Sequence, residues 1–217
     1  MLDFDLNQIS NEYEKNNVTN LLLQLEDIVV QTNEPLEGNA FYIHGSLQLY
    51  PELYTKQLNL FWCGKYAKSR ICEIGFNAGH SAMLMLLPQS NNTNFEFTVF
   101  DINFHKYTKF CFNYIQKQFP NITFQFIEGD STITVPQYAI GLYDVVHIDG
   151  GHSEYCIQQD IFNANNITRV GGLIIIDDTG IDYINNQVNL YINSGNYIEL
   201  NILQTFDYIH RIIQKIK

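Results

Sequence analysis

The chain reads as an α/β protein built on a doubly wound, mostly parallel sheet with an antiparallel hairpin at its C-terminal end. Three observations carry that reading. From residue 71 onward short apolar runs alternate with helical patterns, as in a sheet covered by helices on both faces. The first run, Ile71 to Ile74, passes into a glycine-bearing turn, Gly75-Phe-Asn-Ala-Gly79, and then a helix. The last two β-rich runs, Tyr197 to Thr205 and Tyr208 to Ile216, are separated only by Phe206-Asp207, too short a link for parallel neighbours.

The elements follow in order. Residues 1 to 16 are polar and acidic without a sustained period and read as a mobile arm or a partner-contacting segment. After Asn17, an N-cap, Val18, Leu21, Leu22, Leu25, Ile28 and Val29 recur at helical spacing. Residues 33 to 50, with Pro35, Gly38 and Gly45, read as a loop that ends where Pro51 opens a second helix with Tyr54, Leu58, Phe61 and Trp62 on its apolar face. These helices, spanning 17 to 68, precede a core of residues 69 to 217, and all 217 residues form one domain.

In the core, strand one ends at Ile74 and its helix runs from Gly79 to before Pro88. Phe95 to Phe100 is strand two, followed by a helix marked by Tyr107, Phe110, Cys111, Tyr114 and Ile115 and closed by Pro120. Ile122 to Ile127 and Tyr143 to Ile148 are strands three and four. A helix from about Glu154 to Asn166 leads to Gly171-Gly172 and strand five, Leu173 to Ile176, and a polar helix near 181 to 193 precedes the hairpin.

Composition narrows function. A net charge of −11 and a pI near 4.8 oppose binding to nucleic acid, whose phosphates demand a basic face. Four cysteines, Cys63, Cys72, Cys111 and Cys156, stand far apart without a C-x-x-C pair, so neither a zinc ribbon nor a redox motif is signalled, and buried thiols in a reducing compartment are expected. No basic, apolar leader and no membrane-length stretch is visible, so a cytoplasmic protein with no membrane partner is expected, and a homo-oligomer is left open.

Chemistry gathers at the strand ends. Four successive strands end in acids, at Asp101, Asp130, Asp149 and Asp177-Asp178, and ligands of open α/β sheets sit at that edge. Each acid taken singly could equally cap the next helix. The turn itself, Glu73-x-Gly75-x-x-x-Gly79-x-Ser81, departs from the dinucleotide fingerprint, because its second glycine is Asn77.

That turn, with the strand-end acids, resembles the first motif of class I S-adenosylmethionine-dependent methyltransferases, and the whole layout is similar to their Rossmann-like fold. The run Val-His-Ile-Asp149-Gly-Gly-His152, followed by Gly-Gly-Leu-Ile-Ile-Ile-Asp177-Asp178, resembles the metal-dependent O-methyltransferases of the catechol and caffeoyl type and the related sugar O-methyltransferases. The resemblance implies a methyl donor, S-adenosylmethionine, held by the Gly75 to Gly79 turn, with Glu73 ordering the loop and Ser81 at the cofactor carboxylate. It implies Asp101 on the ribose, Asp130 with Ser131 at the adenine, and Asp149 at the cofactor edge. It further implies Mg2+ on Asp149, Asp177 and Asp178, His152 as the base, and a small hydroxylated acceptor, a sugar or sugar nucleotide in preference to a catechol. His147, inside its strand, reads as a core histidine, and His44 as a residue of the cofactor mouth. The competing readings are a nicotinamide-dependent dehydrogenase, which Asn77 disfavours, and a non-catalytic partner subunit that keeps the fold.

Overall fold

The computed structural model describes residues 5–36, 40–43, 45–200 and 210–217. Seven strands form one sheet: β1 (Arg70–Ile74), β2 (Phe95–Asp101), β3 (Ile122–Glu128), β4 (Tyr143–Ile148), β5 (Thr168–Ile176), β6 (Tyr197–Glu199) and β7 (Arg211–Lys215). Their order is β3-β2-β1-β4-β5-β7-β6, with β1 to β5 parallel and β7 antiparallel to both its neighbours. The expected terminal antiparallel pair is therefore present. The short Phe206-Asp207 link on which it was argued lies outside the described residues.

Each inner strand is apolar on both faces because helices cover both. Ile71, Phe97, Val99, Val145, Leu173 and Ile175 pack beneath helices α1 (Leu6–Glu14), α2 (Val18–Thr32), α3 (Tyr54–Tyr66), α4 (His80–Leu86) and α5 (Lys106–Gln118). Cys72, Ile74, Phe100, Val146, Ile148, Ile174 and Ile176 face α6 (Ser131–Tyr138), α7 (Glu154–Ile167) and α8 (Asp182–Asn193). All four cysteines are unpaired, and three are buried.

Several elements differ from the sequence reading. Residues 6 to 14, read as part of a mobile arm, form α1: Asp5 caps it by accepting from the Gln8 N–H at 3.1 Å, and Ile9 and Tyr13 are buried. Two apolar contacts in nine residues are too few to show as a period, and the helix is held by its tertiary partner, with Tyr13 Oη donating to Gln57 of α3 at 2.8 Å. Helix α6 has no counterpart in the sequence reading. Its β-branched run and Pro136 disguise it, while Asp130, which caps its first turn, is its only local signal. The Gly171-Gly172 pair lies inside β5, at a register shift between Tyr143 and Val145 of β4.

Candidate functional site

The cleft opens along the C-terminal ends of β1 to β5, has a volume of about 750 Å³ and is bounded by the β1–α4 turn, Asp101, Asp130 and the β4–α7 loop. The turn forms as its glycines require. Gly75 sits at φ +86°, and a Cβ there would lie 1.9 Å from the Asp149 carbonyl oxygen, so only glycine lets β1 hand over against the end of β4. Asn77, where a dinucleotide fold has glycine, takes the left-handed conformation itself at φ 51°, which asparagine tolerates better than most side chains.

Asp101 organises this turn. Its Oδ2 accepts the N–H groups of Phe76 at 2.7 Å and Asn77 at 3.1 Å, and its Oδ1 accepts that of Asn103 at 2.6 Å. The carboxylate expected at the cofactor ribose thus also ties the glycine loop to the end of β2. Glu73 is fully buried behind the turn, where its Oε1 accepts from Ser81 Oγ at 2.6 Å and meets His147 Nδ1 at 2.9 Å. With its proton directed inward, Ser81 presents an acceptor to the cleft, leaving the α4 amides as the donors for an anionic group. Gly79 does not line the cleft directly; a Cβ on it would strike the Phe76 ring at 2.4 Å and Ile115 at 2.6 Å, so this glycine serves helix packing.

On the far side, Asp130 caps α6 with one oxygen, Oδ1, which accepts from Thr132 N–H at 2.9 Å and from its hydroxyl at 2.7 Å. Asp130 and Ser131 both line the cleft. Asp160 of α7, which carried no weight in the sequence reading, lies fully buried nearby, its carboxyl pushed up to about 6 by burial, with Ser131 opposing and Asp130 adding to the shift. A lone acid on the apolar side of a helix was the signal for it.

The acids expected to share a metal are divided. Among the described residues, two groups of three hold their ligand atoms within 4.8 Å of one another: His147, Asp149 and Asp177 below, and Asp149, His152 and Asp178 on the cleft wall. Asp149 belongs to both, with its carboxyl raised to about 7 by burial and the Asp177 charge. Asp178, at φ 55°, turns away from Asp177 so that its Oδ2 meets His152 Nε2 at 2.7 Å. Asp177 forms a buried ion pair with Lys56, a residue of α3 that the sequence reading passed over. Residues 56 to 64 of α3 are all buried, so its polar members need partners: Lys56 has Asp177, Gln57 has the Ala40 carbonyl at 2.9 Å, and Asn59 meets His210 at 2.9 Å. A lysine at that place in an apolar helix was the available signal.

The pairing of Asp178 raises the His152 pKa, an effect burial opposes and Asp149 and Asp177 reinforce. Because Nε2 faces a carboxylate, Nε2 carries the hydrogen and Nδ1 is left to accept a proton. The backbone oxygen of His152 is held by Tyr183 Oη of α8. His147 is buried in β4 as expected of a core histidine, and His44 lies outside the described residues.

A seven-stranded sheet in this order, with a glycine turn after β1 and acids at the following strand ends, defines a class I methyltransferase fold. Residues 72–179 match the family model described as a methyltransferase domain, which spans the turn, the strand-end acids and the Asp149 to His152 loop. The chain accordingly carries a methyltransferase domain on a class I methyltransferase fold, and is an enzyme of that kind. No curated protein matches the sequence.

Among solved structures, an O-methyltransferase from Bacillus cereus in complex with SAH is similar at a TM-score of 0.64 and 16% identity, covering 91% of each chain. The SAH-bound methyltransferase PaMTH1 of Podospora anserina gives a TM-score of 0.62 at 14% identity over 100% of this chain and 99% of that one. CalS11, a TDP-rhamnose 3'-O-methyltransferase of calicheamicin biosynthesis, gives 0.61 at 12% identity over 76% of this chain and 81% of that one. At such identities the likeness concerns the fold. No helix among the described residues is long and apolar enough to cross a membrane.

Proposed function

We propose that the chain methylates a hydroxyl of a small acceptor, a sugar or sugar nucleotide in preference to a catechol, with S-adenosylmethionine as donor. The observation that carries this reading is the Asp178–His152 pair on the wall of the cleft that the glycine turn also lines. A cleft of about 750 Å³ is of the size that takes a nucleoside joined to an amino acid. Gly75, the α4 amides beside Ser81, Asp101, Asp130 and Ser131 line one continuous surface for it, with Glu73 bracing Ser81 and Gly79 packing the turn from behind. Sugar acceptors are favoured by the small Gly150-Gly151 turn beside His152 and by the likeness to CalS11.

When bound, S-adenosylmethionine supplies an electrophilic methyl on its sulfonium, which departs as a neutral thioether. His152 takes the proton of the acceptor hydroxyl on Nδ1 as the new oxygen–carbon bond forms, and Asp178 stabilises the resulting imidazolium. Asp149, between the two groups, faces the same part of the cleft.

The Mg2+ that the resemblance implies would draw on Asp149, Asp177 and Asp178. One observation favours it: Asp149 and Asp178 both line the cleft. The three acids as arranged do not fit it, because Asp177 holds Lys56 with Oδ2 and the Asp178 N–H with Oδ1 at 3.2 Å, while Asp178 holds His152. Magnesium demands near-octahedral oxygens at about 2.0–2.1 Å. No step is therefore assigned to the ion.

The function is tested by titrating the purified chain with S-adenosylhomocysteine in a thermal-shift and calorimetric assay, then screening nucleotide sugars for methylated product by mass spectrometry. Binding with a raised Tm and methylated sugar are expected. Failure to bind the thioether, or binding of NADH in its place, would remove the reading.

A further inference from the structure

Lys56 is 5% exposed, and lysine is almost never buried to that degree without a partner. Its partner, Asp177, is 3% exposed; Lys56 sits on the inner side of α3 and Asp177 directly follows β5, its backbone N–H bonded to the Ile148 carbonyl at 3.0 Å. Burial works against the ammonium charge, yet Asp177, Asp149 and Asp178 together outweigh it. These are the same three acids that the resemblance to metal-dependent O-methyltransferases would give to a metal ion. The remaining groups around the pair are His147, whose Nδ1 is turned to Glu73, and His210, whose pKa burial pushes down to about 3.

We propose that Lys56 is the resident cation of this centre, standing in the place of a divalent ion, so that methyl transfer proceeds without a dissociable metal. Lys56 does not line the cleft and is a positioning residue: it keeps Asp177 fixed under Asp149 and offsets the charge of the acids against which the acceptor is bound. The proton and the methyl group then move as described above, between acceptor oxygen, His152 Nδ1 and the sulfonium, with no metal-bound oxygen. A dication entering the group would have to displace the ammonium from Asp177 or sit beside a like charge in a poorly hydrated site. The inference rests on the methyltransferase reading and deepens it.

The test is a titration of the full chain, stripped with EDTA, with MnCl2 followed by electron paramagnetic resonance and thermal unfolding, with and without S-adenosylhomocysteine. The wild type is expected to retain its Tm and its thioether binding after EDTA and to take up no stoichiometric Mn2+ at millimolar concentration. Lys56→Met, which keeps the stem and removes the charge, should bind Mn2+ at least tenfold more tightly than the wild type and show an Mn2+-dependent rise in Tm. Lys56→Arg should behave as the wild type. One equivalent of Mn2+ bound by the wild type, with thioether binding intact, overturns the proposal even if Lys56→Met does not fold. Loss of thioether binding in the untreated wild type would instead sink the methyltransferase reading itself.

Discussion

His152 Nε2 lies 2.7 Å from Asp178 Oδ2, an imidazole and a carboxylate from consecutive strand ends that meet on the cleft wall. His152→Ala should lower kcat by about 10² to 10⁴ while leaving S-adenosylhomocysteine affinity unchanged. As the proposed base, His152 would work only when neutral, and Asp178 raises its pKa, so activity should fall as pH drops through that raised value. Asp178→Asn should lower the His152 pKa and move the acid limb of the kcat profile to lower pH. A pH–rate series on both proteins checks this, and an unmoved limb would assign it to another group.

Asp101 accepts three backbone N–H groups, two of them from the glycine turn. Asp101→Ala should abolish most of the thermal shift given by S-adenosylhomocysteine, through loss of the turn's anchor and of the ribose acceptor proposed for this carboxylate. It should also cost about 1–3 kcal/mol in urea unfolding, the usual penalty for stranded amides. Full retention of the shift would free Asp101 of any role at the cofactor.

Gly75→Ala should be among the most damaging single-methyl additions. It would place a Cβ 1.9 Å from the Asp149 carbonyl at a backbone φ of +86°. The backbone strain alone is of order 1–3 kcal/mol, and relief would move Asp149. Chemical denaturation together with a loss of S-adenosylhomocysteine binding is the expected signature.

Asp144 supports the opposite end of the sheet. It accepts the N–H groups of Lys68, Ser69 and Arg70 and a charged bond from Arg169 at 2.5 Å. Burial alone would raise its carboxyl, but Arg169 and the amides prevail and hold it at about 2. A depressed folded-state pKa contributes stability above the ordinary carboxylate range, lost as pH falls from about 4 towards 2. Asp144→Ala should cost about 3 kcal/mol at neutral pH and flatten the stability profile in that window. Urea titrations at stepped pH measure both.

Much of this was legible in the chain. The β1 to β5 strands, the glycine turn and the acids at the strand ends announce themselves because each depends on local physics: apolar runs bounded by turn residues, a φ that only glycine reaches easily, and short polar side chains where the backbone changes direction. Helix α1 and helix α6 were not legible. The first is held by Tyr13 against Gln57, and the second carries β-branched residues and Pro136 where propensity argues against a helix.

The sequence by itself determined which carboxylates and which histidine stand at the sheet's edge, since strand spacing alone sets their register. Only the tertiary structure decided what each one faces. Lys56 lies 121 residues from Asp177, on a helix that precedes the whole sheet, and no spacing rule relates the two. Their pairing follows from packing α3 across β4 and β5, where a buried ammonium must find a carboxylate. Asp178 turned toward His152 because its left-handed backbone separates it from its neighbour, dividing between two partners an acidic pair that reads as one unit in the chain.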